Sequence, residues 1–372
     1  MTPSAEADTK EERRLGSWCP LFKGRISCMC WVFVLLYVVL LCVHQLMTQR
    51  FAGYGFQPYP AVNLPKKAVP KGGQSNHTLF LYSSANLSTA STDKTPLKRK
   101  RKLENDFYTT ASPKGRLGNQ MFQYASLLGV VDINNRSLQK AFYPRNSLVA
   151  KYFQLTHVSD RSAKGFKVIK EIGSGTYDPK FENLPPENVR LSTYLQSWKY
   201  FHRIDSVIRR EFTFPQPVRN RTQQQLRKLT EGRENVIKIG VHVRRGDRVG
   251  KRIVGHFQLP RLSYYQRAAD YFRSKYRDVI FIVVTTDRQW CQKLLEMKDF
   301  VLADDAPTQE HLSLLTQCDH VIVSIGTFGW WGGYLGGGDV VYYNNCIYPN
   351  MTAKKGFTAM DHFLPQWVGI GD

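Results

Sequence analysis

Strand and helix patterns alternate along the C-terminal part of the chain. Short β-branched runs at residues 236–243, Val279–Thr285 and His320–Val323 predict buried strands. Between them, apolar residues recur at helical spacing in residues 263–276 and 309–317. Repeated strand–helix units of this kind form a parallel sheet covered by helices. The sequence therefore predicts an α/β fold for this region.

The preceding region begins with a similar unit. Residues 107–110 predict a strand, residues 112–120 a glycine-containing loop and residues 121–131 a helix. A loop of this kind can bind an anion through the N–H groups of the helix start, although a tight structural turn explains it equally well. The apolar residues that follow show little order until residues 204–212, which predict another helix.

Two adjacent arginines follow the strand at residues 236–243. After His242 and Val243, Arg244 and Arg245 stand where the strand opens into a loop containing Asp247. A guanidinium group matches phosphate oxygens in pairs, and open α/β sheets bind ligands at the carboxyl ends of their strands. Asp247 can brace one arginine and leave the other for a diphosphate. The alternative is a surface cluster of salt bridges.

A second candidate ligand site follows the last of these strands, where the sequence reads SIGTFGWWGGYLGGGD. Ser324, Gly326 and Thr327 can present hydroxyl and backbone N–H groups to a ligand at a helix start. Trp330 and Trp331 can stack on a base or a sugar, but adjacent tryptophans beside a helix are more often core residues.

An uncharged apolar segment, residues 26–47, lies near the N-terminus. About 20 apolar residues span a bilayer, so we expect a transmembrane helix rather than a cleaved signal peptide. Basic residues are concentrated before the segment, which orients residues 1–25 toward the cytosol and the rest toward the lumen. These residues are Lys10, Arg13, Arg14, Lys23 and Arg25.

The Asn-x-Ser/Thr triplets all follow the apolar segment, as expected for a luminal body. They begin at Asn76, Asn86, Asn135, Asn220 and Asn350. A formal net charge of +22 indicates an anionic partner. Because the body is expected in the lumen, nucleic acid is disfavoured as that partner.

Residues 48–105 predict a luminal stem, since they contain prolines and Ser/Thr clusters but few periodic apolar positions. The stem ends in the basic run KRKRK, which is either a processing site or a solvated charge run. Beyond it, Cys291, Cys318 and Cys346 allow one disulfide and one free thiol. None of the three has metal-ligand spacing with another Cys or His.

Several motifs in the body resemble the galactoside α-1,2-fucosyltransferases, which are Golgi type II membrane enzymes of glycosyltransferase family 11. The motifs are GRLGNQMFQYA at residues 115–125, LQSWKYF at 195–201, GVHVRRGD at 240–247, LLTQCDH at 314–320, SIGTFGWWGGYLGGGD at 324–339 and FLPQWVGI at 363–370. The resemblance implies a GT-B-like fold of two lobes, with residues 106–235 as the N-terminal catalytic lobe and residues 236–372 as the donor-binding lobe.

The same resemblance implies GDP-β-L-fucose as donor, a terminal β-galactoside as acceptor and inversion at the fucose anomeric carbon. The expected catalytic residues are Arg244, Arg245 and Asp247. The expected donor-binding residues are His242, Arg244, Arg245, Gly115, Asn119, Ser324, Gly326 and Thr327. Trp330, Trp331 and His256 are candidates for acceptor binding or stacking.

Two features bear on mechanism. The chain contains no Asp-x-Asp motif of the kind that holds a divalent metal in many glycosyltransferases. We therefore expect an enzyme that needs no metal and no cofactor, in which arginines stabilise the phosphate of the departing GDP. Asp247, Asp287 and His256 are the candidate general bases, and the sequence does not separate them.

Other functions remain open on the sequence alone. The pattern HVRR-x-D-x-VG also resembles α-1,6-fucosyltransferases, so the linkage is not fixed. A Golgi sulfotransferase would share the topology and the basic body, although the loop GRLGNQ fits its phosphosulfate-binding loop poorly. A non-catalytic luminal carbohydrate-binding protein could share the fold, but it would not need the arginine pair.

Overall fold

The computed structural model of the chain describes residues 107–134, 139–245, 258–346 and 356–372. These residues all fall within the compact unit Pro96–Asp372. The predicted tail, apolar segment and stem lie outside the described residues. In the described ranges, no helix has the length and apolar character needed to cross a membrane.

The first sheet is parallel and has its earliest strand at its centre. The order is β3-β2-β1-β5-β4. The strands are β1 (Phe107–Ala111), β2 (Gln139–Pro144), β3 (Val158–Ser159), β4 (Lys167–Lys170) and β5 (Val189–Ser192). The strand order reverses between β1 and β5, and open α/β sheets bind ligands at the carboxyl ends of strands at such a point. The sequence pattern predicted β1 but not the four strands around it.

Four helices occur in this first part of the chain: α1 (Leu117–Ile133), α2 (Leu148–Tyr152), α3 (Asp205–Glu211) and α4 (Gln216–Leu229). Helix α4 packs against residues 308–317 of the second part, where Oγ1 of Thr222 lies 3.0 Å from Oγ of Ser313. Helix α1 begins at Leu117, within the predicted loop, because Gly115 turns the chain with a φ of 74°. Helix α3 lies within the predicted range. Helix α4 was not predicted, since only Val218, Thr222 and Leu226 of its side chains are buried.

The second sheet confirms the predicted parallel α/β arrangement. Its order is β11-β10-β9-β6-β7-β8. The strands are β6 (Ile237–Val243), β7 (Val279–Thr285), β8 (Phe300–Leu302), β9 (His320–Val323), β10 (Val340–Tyr343) and β11 (Val368–Ile370). The helices are α5 (Leu262–Lys275), α6 (Arg288–Leu295), α7 (Thr308–Gln317), α8 (Thr327–Gly336) and α9 (Ala359–His362). This is the doubly wound topology, and its strand order reverses between β6 and β9.

Helices α1 and α8 join the two sheets through a buried contact at their N-terminal ends. The indole Nε1 of Trp331 donates a hydrogen bond to the carbonyl of Gly118 at 3.0 Å. A Cβ atom at position 118 would lie 2.7 Å from Oγ1 of Thr327, so glycine permits this approach. The ring of Phe122 packs against Trp330 at a centroid distance of 4.4 Å. The start of each helix is therefore held beside the start of the other.

The cysteine count allows one disulfide, but none forms among the described residues. Cys291, Cys318 and Cys346 are all free and buried. They lie on α6, at the end of α7 and after β10, and each packs into the core of the fold as a small apolar side chain. Counting cysteines could not reveal this, because the pairing depends on which elements the topology brings together.

Candidate functional site

Ser324 joins the carboxyl ends of β6 and β9, where the strand order of the second sheet reverses. Its Oγ accepts a hydrogen bond from the backbone N–H of Arg244 at 3.0 Å. Its own backbone N–H donates to the carbonyl of His242 at 3.3 Å, and Nδ1 of His242 lies 3.2 Å from Oγ. Both Ser324 and His242 are buried. These bonds fix the backbone from which the first arginine projects.

The side chain of Arg244 runs to the start of α8. Gly326 is the N-cap of this helix, has a φ of 89° and offers no side chain to cap the first N–H groups. A Cβ atom at position 326 would overlap Nη1 of Arg244, so the guanidinium lies directly on this backbone. The first N–H groups of a helix lack partners within it and carry partial positive charge. Guanidinium and helix start together form an arrangement suited to an anion such as phosphate.

Arg245 makes different contacts from its neighbour. Its Cζ lies 4.2 Å from the ring centroid of Trp290 on α6, and its Nη1 donates to the carbonyl of Pro260 at 3.3 Å. Its Nε is buried and has no hydrogen-bond partner among the described residues. The structure therefore brings Arg244 to the start of α8 and holds Arg245 on the side of α6. The sequence had grouped the two arginines at one phosphate.

Asn119 connects the first sheet to the start of α8. Its Oδ1 accepts hydrogen bonds from Oγ1 of Thr327 at 2.8 Å and from Nε2 of Gln196 at 3.2 Å. Its amide nitrogen points toward Gly115, where a Cβ atom would overlap it. The predicted donor-binding residues of the two sheets therefore lie together. Gln196 was assigned no role in the sequence, although it lies in the motif LQSWKYF.

His362 fixes the backbone at Gln196, which contacts Asn119. It is buried, and its Nδ1 lies 2.8 Å from the carbonyl of Gln196, to which it donates. Burial lowers the pKa of His362 to about 4. The imidazole is therefore neutral near pH 7 and bears its proton on Nδ1. No motif pointed to this histidine.

The tryptophans at positions 330 and 331 are core residues. Both are 0% exposed. Their indole N–H groups donate to the backbone carbonyls of His362 and Gly118. Aromatic rings, including those of Phe122 and Phe201, pack around them. Their burial favours the core interpretation over stacking on a ligand.

The remaining candidates are distributed as follows. Asp287 caps α6, where its Oδ1 accepts from the backbone N–H of Trp290 at 3.2 Å. Asp247 and His256 lie outside the described residues. Asn220 has an exposed side chain on α4, while the other triplet asparagines fall outside the described ranges. Within those ranges, no cluster of three or more His, Cys, Asp or Glu is placed to hold a metal ion.

Comparison with known proteins identifies the family. The sequence model of Glycosyl transferase family 11 matches residues 72–371. Galactoside alpha-(1,2)-fucosyltransferase 2 of Pongo pygmaeus is 36% identical over 278 residues, which cover 70% of this chain and 78% of that protein. Galactoside 2-alpha-L-fucosyltransferase SEC1 of Bos taurus is 34% identical over 275 residues, covering 70% of this chain and 73% of that protein.

Among solved structures, NodZ alpha-1,6-fucosyltransferase soaked with GDP-fucose matches 65% of this chain and 96% of its own, with 14% identity and a TM-score of 0.43. That likeness is too distant to carry an argument about this chain. The sequence relatives are close enough, and they confirm the resemblance found in the motifs. The chain is an enzyme that belongs to glycosyl transferase family 11, as do the galactoside α-(1,2)-fucosyltransferases it resembles.

Proposed function

We propose that this enzyme transfers L-fucose from GDP-β-L-fucose to the 2-hydroxyl of a terminal β-galactoside on glycoproteins or glycolipids. The names of its relatives support the sugar and the linkage. The observation that carries the proposal is the contact of Arg244 with the start of α8 at Gly326. A guanidinium and a helix start at the switch point of a doubly wound sheet suit the diphosphate of a nucleotide sugar.

The chemistry follows from where charge develops. Breaking the bond between fucose C1 and the β-phosphate oxygen leaves negative charge on GDP, which Arg244 and the N–H groups of α8 are placed to stabilise. The acceptor oxygen attacks C1 from the opposite face, so the β-linked donor gives an α-linked product. The hydroxyl proton passes to a general base, for which Asp247, Asp287 and His256 are the candidates.

The proposed architecture is GT-B-like, with lobes at residues 106–235 and 236–372. Its support is the division of the strands, since β1–β5 form one parallel sheet and β6–β11 form another. The starts of α1 and α8 then line the crevice between the lobes. In this arrangement the second lobe binds the donor, while the first lobe faces the acceptor.

We also propose that transfer needs no divalent metal or other cofactor. Arg244 and the start of α8 supply positive charge at the phosphate position, and the chain contains no Asp-x-Asp motif. The enzyme is proposed to be a single-pass type II protein of the Golgi membrane, anchored by residues 26–47. The uncharged segment and the position of the Asn-x-Ser/Thr triplets support this placement.

The test uses the full chain in detergent, supplied with radiolabelled GDP-fucose and a β-galactoside. The matched acceptor is the corresponding 2-deoxygalactoside, which lacks only the attacking hydroxyl. We expect an α-linked fucosylated product from the first acceptor, none from the second, and persistence of transfer in excess EDTA. Equal labelling of both acceptors would contradict the linkage. In a parallel incubation with a radiolabelled phosphosulfate donor, incorporation of label from that donor alone would contradict the reaction class. Transfer that is lost in EDTA and restored by a divalent ion would contradict metal independence.

A further inference from the structure

The chain makes a strained turn directly after β5, at the carboxyl edge of the first sheet. Thr193 has a φ of 101° and Leu195 has a φ of 52°. Positive φ is unfavourable for residues other than glycine, and most of all for a β-branched residue such as threonine. Such strain persists only where the surrounding structure imposes it, and it is concentrated at functional sites.

A buried carboxylate holds one side of this turn. Oε1 of Glu171, which follows β4, accepts hydrogen bonds from the backbone N–H groups of Tyr194 at 2.9 Å and Leu195 at 3.0 Å. Glu171 is only 7% exposed. Burial raises the pKa of Glu171, and buried hydrogen bonds are costly to leave unmade, so this side chain opposes relaxation of the turn.

Helix α1 holds the other side. Nε2 of Gln123 donates to the carbonyl of Thr193 at 2.9 Å, and Oγ of Ser126 donates to the carbonyl of Leu195 at 2.9 Å. Both side chains are completely buried. Buried side chains on both sides of the turn therefore hold residues 193–195 in this conformation through hydrogen bonds.

The turn presents one aromatic side chain. Leu195 points into the core and is 0% exposed, whereas Tyr194 is half-buried. Gln196, the next residue, donates to Asn119, which also accepts from Thr327 at the start of α8. The turn consequently lies at the carboxyl edge of the first sheet, and the residue after it contacts the cluster at the start of α8.

We propose that Tyr194 is the platform on which the acceptor sugar packs. This inference rests on the proposed function. One face of a galactose ring consists largely of C–H groups, which pack on an aromatic ring, and a tyrosine adds a polar tip for a sugar hydroxyl. The phosphate-binding features lie on the second sheet, at Arg244 and Gly326. A ring held on the first sheet is therefore placed for the other reactant. Glu171 acts as a positioning residue through the turn.

The main test compares Tyr194→Leu with Tyr194→Phe in the full-length enzyme, measuring KM for the β-galactoside, KM for GDP-fucose and melting temperature. Tyr194→Leu should raise the acceptor KM about tenfold, because it removes the ring, and leave the donor KM unchanged. Tyr194→Phe keeps the ring and should stay within about threefold of the parent. Tyr271→Leu, which changes a half-buried tyrosine on α5, is the matched control and should change neither constant.

Glu171 provides a second measurement. Glu171→Gln retains an oxygen that can accept from both N–H groups, so its acceptor KM should stay near that of the parent. Glu171→Ala should raise the acceptor KM in the same direction as Tyr194→Leu without changing the donor KM. If Glu171→Ala does not fold, the comparison at Tyr194 decides the inference.

The outcomes separate this inference from the function on which it rests. A parent enzyme that transfers no fucose overturns the proposed function. A parent that transfers fucose, with an unchanged acceptor KM in Tyr194→Leu, overturns the platform alone. A rise in the donor KM instead would assign Tyr194 to the nucleotide sugar and would also overturn it.

Discussion

The guanidinium of Arg244 lies directly on the backbone of Gly326, leaving no room for a Cβ atom at that position. This contact joins the end of β6 to the start of α8 across the switch point of the second sheet. It also sets the direction of the guanidinium. The local geometry of Gly326 and the placement of the proposed phosphate ligand are therefore coupled.

Gly326→Ala should displace Arg244 as well as strain the backbone. The φ of 89° alone should cost about 1–3 kcal/mol of unfolding free energy. Gly165→Ala is the matched control, since Gly165 has a φ of 81° and no atom within 4 Å of an added Cβ. Thermal melts and kcat measurements should show both variants destabilised but only Gly326→Ala losing turnover. Parental turnover in Gly326→Ala would show that the contact does not matter for catalysis.

Burial of His362 should make stability depend on pH. The pKa of His362 is about 4 in the folded protein and near 6.5 in an unfolded chain. Between these values the unfolded chain binds more protons, so stability falls as the pH drops from about 6.5 toward 4. The full difference corresponds to about 3 kcal/mol.

Chemical denaturation at several pH values tests this expectation by comparing the parent with His362→Gln. The substitution should flatten the dependence between about pH 6.5 and pH 4, because the buried titrating group is gone. His202→Gln, at an exposed histidine, should leave the parental slope unchanged. An identical slope in all three proteins would mean that the pKa of His362 is the same in the folded and unfolded states, which contradicts the expectation.

The three cysteines of the body should all carry free thiols. Cys291, Cys318 and Cys346 are buried and separate in the structure. Burial raises the pKa of each thiol, which further lowers its reactivity. Alkylation after unfolding without reductant should label all three, and a reducing agent should not change the melting temperature. Mass spectrometry that finds a linked pair of peptides would contradict this arrangement.

The parts of the fold that follow from local pattern could be predicted from sequence. Strand β7 consists of apolar residues and one threonine, and its predicted bounds match the structure. Helix α4 could not be recognised, because two prolines lie at its start and only a few of its side chains are buried. The pairing of one strand with another could not be predicted from local pattern. The pairing of β6 with β9 joins segments far apart in sequence, and it creates the switch point at Ser324.

The candidate site, too, could be predicted only as far as local sequence determines it. A strand end followed by Arg244 and Arg245 indicated an anion site, but the different directions of the two side chains depend on Gly326 and Trp290. The turn at Thr193 gave no signal, since a β-branched residue favours extended structure in the absence of tertiary contacts. Its strain depends on Glu171, Gln123 and Ser126, which meet only in the folded chain.

The most direct test of the account is the effect of Arg244→Lys on turnover. If Arg244 stabilises the charge of departing GDP, loss of its forked geometry should lower kcat by roughly 100-fold, or about 3 kcal/mol, without changing the melting temperature. Arg245→Lys should lower kcat much less, because Arg245 contacts Trp290 and Pro260. Near-parental kcat in a folded Arg244→Lys enzyme would contradict the central claim that this arginine holds the leaving phosphate.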